Sequence, residues 1–148
     1  MDEFDALIGT WKAEGELPGD EPIAVGGTTA IERLGELIVV RASVTPAEFP
    51  DSVSVIGAGE EGEPAWMHYF DERGVHRELR TTLADGKWTM WRADETWRES
   101  PGFNQRYIGE ISPDGNAIDS AWERGLGDAG DEWTIDFSLD YTRNDPRS

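Results

Sequence analysis

Short runs of Val, Ile, Thr and aromatic residues, separated by turn residues, recur along the whole chain and constrain its fold more than any other feature. This pattern is typical of antiparallel all-β sandwiches and barrels. It predicts ten strands, near residues 10–17, 23–34, 37–45, 52–58, 65–71, 75–83, 87–92, 103–111, 117–124 and 132–143. Before them, DEFDALIG places Phe4, Leu7 and Ile8 at helical spacing and ends at Gly9, which predicts a short glycine-capped helix over one end of the sheet.

Three turn sequences predict how neighbouring strands connect. Gly74 in FDERGVH suits the left-handed position of a three-residue turn, Asp85-Gly86 suits a type I′ turn, and the PDG of SPDGNA suits a third reversal. Tight hairpins in series give an up-and-down meander. Ten such strands close into a barrel more readily than they end in two exposed edges.

Length and composition narrow the classes of function. A chain of 148 residues fits one domain, spanning 1–148. The core of such a domain is large enough to be stable without a disulfide or a structural metal. The chain has no cysteine, which excludes disulfides, thiolate nucleophiles, zinc fingers and iron–sulfur clusters. Acidic residues stand in MDEFDAL where a secretory signal would carry Lys or Arg, and no apolar run is long enough to span a bilayer, so we expect a soluble, cytoplasmic protein.

The charge of the chain argues against polyanionic partners. The formal net charge is -18, from 31 acidic and 13 basic residues. Such a field repels a phosphate backbone or an anionic membrane, so we expect neither nucleic acid nor membrane as a partner. The acidity is read as a solvated surface, with a cationic partner or a high-salt cytoplasm as the alternatives.

Four segments carry a resemblance to a known superfamily: GTWKAEGE, MHYFDERGVHRELRTTLADGKWTMWR, FNQRY and DEWTIDFSLDYTR. The first resembles the Gly-x-Trp signature of the calycin superfamily, and in particular the GTWxGxG opening of nitrobindin-like and fatty-acid-binding-like barrels. The others are similar to a family of bacterial proteins of unknown function with a predicted lipocalin-like barrel.

The resemblance implies a role for one residue and argues against one cofactor. In calycins the Trp of the first strand closes the barrel base, so Trp11 is expected to be a structural plug; the alternative is that it touches ligand. Nitrobindins coordinate haem through a histidine near the C-terminus. Because EWTIDFSLDYTR contains no histidine, haem binding is not implied for this chain.

The FDERGVH turn predicts the register of its hairpin. If the loop is Glu72 to Gly74, Asp71 pairs with Val75, Phe70 with His76, and His68 with Glu78. One face then carries Trp66, His68, Phe70, His76, Glu78 and Arg80, and the other carries Met67, Tyr69, Val75, Arg77, Leu79, Thr81 and Leu83. Both faces are mixed, so the pattern leaves open which one lines the lumen.

His68 and His76 are the only histidines in the chain, and the register brings them together with Glu78. Imidazole and carboxylate can bind a divalent metal or move protons near neutral pH. The spacing matches no known metal motif, and hydrogen-bonded barrel or surface histidines are the commoner interpretation, so no metal cofactor is predicted. An enzyme built on these residues would need both imidazoles inside the lumen.

Arginines and tryptophans alternate in the later strands. Arg80, Arg92 and Arg106 are candidate anchors for an acidic ligand, the alternative being outward arginines paired with acids. The SPDGNA turn predicts that Arg106 lies opposite Trp122. The tryptophans of these strands line either an aromatic pocket or a packed core. Trp97 lies in a long loop that suits a lid or a subunit contact.

These patterns predict a lipocalin-like barrel that carries or senses a small amphipathic or aromatic acidic molecule, and no catalytic residue is assigned. The alternatives are a metal- or histidine-dependent enzyme acting on a barrel-bound molecule, and a scaffold that self-associates, for example as a homodimer. The candidate lumen residues are Trp66, His68, Tyr69, His76, Glu78, Arg80, Trp91, Arg106 and Trp122.

Overall fold

The computed structural model of the chain describes residues 1–93, 103–125 and 133–146 and contains all ten predicted strands. A short 3₁₀ helix, Asp2–Leu7, precedes them. The strands are β1 Gly9–Leu17, β2 Ile23–Leu34, β3 Leu37–Thr45, β4 Ser52–Gly57, β5 Ala65–Asp71, β6 His76–Ala84, β7 Lys87–Arg92, β8 Asn104–Ile111, β9 Ala117–Gly125 and β10 Thr134–Arg143.

The ten strands form one closed antiparallel barrel, as the sequence pattern predicts. Each strand pairs with its neighbours in the chain, and β1 pairs with β10 to close the ring, for example at Trp11 opposite Arg143. Closure leaves no strand edge exposed, which removes the template for edge-to-edge aggregation.

Two of the predicted hairpins have the expected turns. In the β5–β6 turn the Asp71 amide donates to the Val75 carbonyl at 3.1 Å, and Gly74 has a φ of 81°. His68 lies opposite Glu78 and Phe70 opposite His76, so the predicted register is confirmed. In the β6–β7 turn Asp85 and Gly86 have φ angles of 54° and 74°, as a type I′ turn requires.

The third hairpin differs from the prediction. Ser112 donates its amide to the Ala117 carbonyl at 2.9 Å, and the Asp114 carboxylate accepts hydrogen bonds from the Ser112 hydroxyl and the Asn116 amide. The loop therefore contains four residues, 113–116, which is one more than the predicted pairing of Arg106 with Trp122 requires. The register of the two strands shifts by one residue as a result. Tyr107 lies opposite Trp122 and Arg106 opposite Glu123, so the predicted Arg106–Trp122 pair is wrong.

The predicted glycine cap of the helix is also wrong. Ile8 has extended backbone angles, φ −61° and ψ 131°, so the helix ends at Leu7 without a left-handed residue. Gly9 starts β1 with a φ of 143°, and a Cβ there would lie 2.2 Å from the Arg143 guanidinium. Glycine at position 9 therefore leaves the space that the Arg143 side chain occupies. No helix within the described ranges has the length and apolar character to cross a bilayer.

Trp11 and Arg143 close the end of the barrel beneath the helix. The Trp11 side chain is fully buried, and its indole nitrogen donates to the Leu7 carbonyl at 2.8 Å. The Arg143 guanidinium lies over the indole ring, 4.1 Å from its centroid, and donates to the carbonyls of Ala6, Ile8 and Gly115. These bonds tie together the helix, β1 and the β8–β9 turn. The buried core surrounds this end and includes Phe4, Leu7, Trp11, Ile31, Ile38, Ile56, Met67, Leu79, Trp88, Met90, Tyr107 and Ile118.

Candidate ligand-binding lumen

The barrel encloses a cavity of about 400 Å³, which lies within the range of small-molecule sites. All ten strands contribute side chains to it. Most of the lining is apolar or aromatic, and the remaining side chains are hydroxyls, one glutamine and three arginines. A cavity of this kind suits a ligand with a large apolar body and few polar atoms.

Aromatic rings line the deep part of the cavity. Trp88 and Tyr107 meet edge to face with ring centroids 5.0 Å apart, and Tyr107 and Trp122 lie 5.4 Å apart. The Trp88 indole nitrogen donates to the Thr81 hydroxyl at 2.9 Å, which satisfies its only hydrogen-bond donor. The rings therefore present apolar surface to the cavity, and Trp11 continues that surface.

The charged side chains of the described lumen are all cationic. Arg73, Arg77 and Arg92 line the cavity, whereas no Asp, Glu or Lys in the described ranges does. Arg92 is 8% exposed, and Arg77 is half-buried opposite Tyr69. No described residue forms a hydrogen bond or salt bridge with Arg77. In a chain of net charge -18, the charged side chains of the described lining are thus all arginines.

Tyr69, Asp71 and Arg73 form a linked group at the β5–β6 turn. The Tyr69 hydroxyl donates to Asp71 at 2.9 Å, and Arg73 donates to the same carboxylate from both its amide and its guanidinium. Hydrogen bonds from Arg73 lower the pKa of Asp71 to about 2. Asp71 and Arg73 therefore neutralise each other, whereas Arg77 pairs with no described residue.

The tyrosines of the lumen carry no negative charge at neutral pH. Burial, with the hydrogen bond to Asp71 second, raises the pKa of Tyr69 to about 12. Burial also raises the pKa of Tyr141 to about 12 and the pKa of Tyr107 well above its usual value. The phenols stay protonated and leave the arginines as the charged groups of the described lining.

The structure places two of the nine candidate lumen residues, Tyr69 and Trp122, in the lumen. The other seven lie on the outer face, and their placement in the lumen is corrected: Trp66, His68, His76, Glu78, Arg80, Trp91 and Arg106. The reason is the alternation of each strand. Met67 and Leu79 are buried in the core at 6% and 4% exposure, which turns His68 and Glu78 outward.

Trp91 and Arg106 face outward for the same reason. Met90 and Tyr107, their neighbours in sequence, are buried on the inner side. Arg106 pairs with Glu123 at 2.7 Å and lies 4.3 Å from the Trp133 ring centroid, which is the outward, acid-paired arrangement left open by the sequence.

The candidate set missed residues that the lumen contains. Arg77, Arg92, Gln105, Trp88 and Tyr107 all line the cavity. The sequence pattern marks Arg92 as a possible ligand anchor but not Arg77, although Tyr69 on the same face is a candidate lumen residue. The available signal was the set of apolar residues Met67, Leu79 and Leu83, which share that face and point to the core.

The two histidines meet outside the lumen. His68 Nδ1 lies 3.3 Å from His76 Nε2, and one ligand atom of each histidine and of Glu78 lies within 4.8 Å of the others. His76 is exposed. These residues therefore do not reach a molecule in the lumen, and the enzyme hypothesis that needed them there loses its basis. The Trp97 loop lies outside the described residues.

No protein-family model matches the chain, and no curated protein matches it. The sequence resemblance to calycins and the closed ten-stranded antiparallel barrel agree with each other at the level of fold.

Proposed function

We propose that the protein carries or senses a small amphipathic or aromatic molecule with an acidic group, held in the barrel lumen. One observation supports this above all others. The described lumen has three arginines and no acidic side chain, although the chain contains 31 acidic and 13 basic residues. An anion is the ligand class that such a cavity favours.

The lining suggests how the ligand is oriented. Its apolar part contacts the aromatic rings of Trp11, Trp88 and Tyr107 at the closed end. Its acid group meets Arg77 and Arg92, whose planar guanidinium groups bind carboxylates and sulfonates through paired hydrogen bonds. Arg77 is half-buried and pairs with no described residue, so an anionic ligand would offset the cost of removing its guanidinium from water.

We further propose that the chain is a calycin-type barrel related to nitrobindin-like and fatty-acid-binding-like proteins. The support is the Gly9-x-Trp11 opening, with Trp11 buried at the closed end. Haem is not proposed as the ligand, because both histidines of the chain lie on the outer face of β5 and β6.

Binding of 8-anilinonaphthalene-1-sulfonate tests the proposal, since this probe combines an aromatic body with a sulfonate. We expect one probe per chain and a weakening of roughly 10- to 150-fold in Arg77→Gln, the range for losing a charge-assisted hydrogen bond of ~1.5–3 kcal/mol. The measurement is fluorescence titration together with calorimetry for stoichiometry.

A matched control is Arg41→Gln. Arg41 is an exposed arginine that pairs with Glu32 on the outer surface, so its loss changes the net charge equally but leaves the lumen intact. Equal effects of the two substitutions, or an unchanged affinity in Arg77→Gln, would contradict the proposed function.

A further inference from the structure

We propose that His68, His76 and Glu78, on the outer face of β5 and β6, form a binding site for a divalent transition-metal cation such as Zn²⁺. The site lies outside the lumen, so this proposal does not depend on whether the lumen binds an anion. The sequence spacing alone predicts no metal at these residues, whereas the distances between their ligand atoms in the structure favour one.

The separation of the two imidazoles fits a shared metal ion. Nδ1 of His68 and Nε2 of His76 are 3.3 Å apart. Two nitrogens bound to Zn²⁺ at about 2.0–2.1 Å with a tetrahedral angle lie about 3.3–3.4 Å apart. The ring planes are within 10° of each other, with centroids 5.5 Å apart, so the two nitrogens face one another directly. Metal binding requires each ring to carry its hydrogen on the other nitrogen and to turn so that both lone pairs point at the metal instead of at each other.

Glu78 supplies the third ligand. It lies directly opposite His68 on the neighbouring strand and two residues from His76 on the same face. No described residue forms a salt bridge with Glu78. Imidazole nitrogens with one carboxylate favour Zn²⁺, Ni²⁺, Cu²⁺ or Co²⁺ over Mg²⁺ and Ca²⁺, which prefer oxygen ligands throughout.

The cation that could neutralise Glu78 is held elsewhere. The Arg80 guanidinium lies 3.4 Å from the Trp66 ring centroid and donates to the Pro64 carbonyl at 2.8 Å. Arg77, the other nearby cation of β6, lines the lumen on the opposite side of the sheet. The carboxylate is therefore left available, in a chain whose net charge of -18 draws cations to its surface.

Neighbouring rings support the two imidazoles. Phe70 stacks on His76 with centroids 4.8 Å apart, and Trp66 lies 6.3 Å from His68. A surface hollow of about 320 Å³ adjoins the group and is lined by Leu37, Val55, Gly57, Ala58, Trp66, His68 and Glu78. Three protein ligands beside an open hollow leave one coordination position for water or an added ligand.

The test is calorimetric titration of Zn²⁺ into the full chain and its variants. We expect one Zn²⁺ per chain, with affinity reduced by more than about 100-fold in His68→Gln and His76→Gln, since even outer-shell partners cost 10–100-fold. We expect a loss of about 10-fold or more in Glu78→Gln. The control is Glu110→Gln, an exposed carboxylate on β8 that should leave the affinity unchanged.

Two results would overturn the proposal. One is the absence of a single Zn²⁺ site in the wild type. The other is weak binding of several ions that the histidine substitutions leave unchanged, which would show diffuse attraction by surface carboxylates. A nitrogen-detected NMR spectrum of the wild type keeps the test independent of variant folding. Zn²⁺ should shift Nδ1 of His68 and Nε2 of His76, and unchanged nitrogens would contradict the site.

Discussion

The inner and outer faces of this barrel differ in the charged side chains that the described residues place on them. Inside, the described lining carries Arg73, Arg77 and Arg92 and no acidic side chain. Outside, four carboxylates lie directly opposite one another across four strands: Glu14, Asp140, Asp119 and Glu110. Within the described ranges, the acidic side chains therefore lie outside the lumen, and its charged lining is arginine.

The two faces also differ in how strongly their side chains contribute to stability. The inner face near the helix holds the core, where removing a ring leaves a cavity that neighbours cannot fill. The outer face holds its rings and charges against solvent, where individual contacts contribute less. Substitutions of the same residue type on the two faces therefore measure the difference directly.

The largest effect is expected for Trp11→Ala. The Trp11 side chain is fully buried and contacts both the Leu7 carbonyl and the Arg143 guanidinium. We expect a loss of about 3–5 kcal/mol in the free energy of unfolding, measured by urea denaturation. Trp66→Ala is the outer-face control, because Trp66 is half-buried and contacts Arg80 from the solvent side. A loss in Trp66→Ala as large as in Trp11→Ala would remove the distinction between the two faces.

A smaller effect, dependent on pH, is expected for Asp71→Asn. Hydrogen bonds from Arg73 lower the pKa of Asp71 from 3.8 to about 2. Because the folded pKa is the lower one, the ionised Asp71 stabilises the fold above the unfolded pKa, and this stabilisation disappears as pH falls towards 2. The wild type should lose more stability than Asp71→Asn over this interval, as measured by urea denaturation at a series of pH values.

The same substitution also changes the charge beside the lumen. Asp71→Asn removes the acid that neutralises Arg73, so the mouth of the lumen becomes more positive. Binding of 8-anilinonaphthalene-1-sulfonate at neutral pH should then strengthen. Weaker binding, or an identical loss of stability in the two proteins on acidification, would show that the Asp71–Arg73 pair does not act as described.

The smallest effect is expected for Asp140→Asn on the outer face. Burial, and then the charge of Asp119 opposite it, raises the pKa of Asp140, so its ionised form opposes folding. Substitution should stabilise the protein at neutral pH by a few tenths of a kcal/mol, the scale of a cross-strand like-charge pair.

Salt and acid provide the checks on Asp140. The gain should shrink in high salt, which screens exposed charges, and should vanish as pH falls through the raised pKa and the wild-type carboxyl becomes protonated. A gain that is independent of salt and pH would contradict the repulsion between these carboxylates.

The sequence predicted the strands and the barrel because alternation and turn residues are local signals. The three-residue turn ending at Gly74 fixed the pairing of His68 with Glu78 without any tertiary information. The same reasoning failed at SPDGNA, where the Asp114 side chain stabilises a longer loop and shifts Arg106 opposite Glu123.

The residues of the β5–β6 hairpin give only a weak signal of its direction, because Met67, Leu79 and Leu83 share their face with the charged Arg77. Both faces are mixed, and the choice is made by Met67 and Leu79 packing in the core cluster with Phe4, Leu7 and Trp11 from the start of the chain. That contact exists only after barrel closure. It is the reason that Arg77 faces the lumen and the histidines face outward.

Whether the lumen selects an anion is measured by comparing two probes on the wild-type protein: 8-anilinonaphthalene-1-sulfonate and N-phenyl-1-naphthylamine, which has the same aromatic body without the sulfonate. A positive lumen predicts that the sulfonate binds more tightly by about 10-fold or more, the scale of one charge-assisted contact. Equal affinity, or tighter binding of the uncharged probe, would show that the arginines of the lumen do not select an anion.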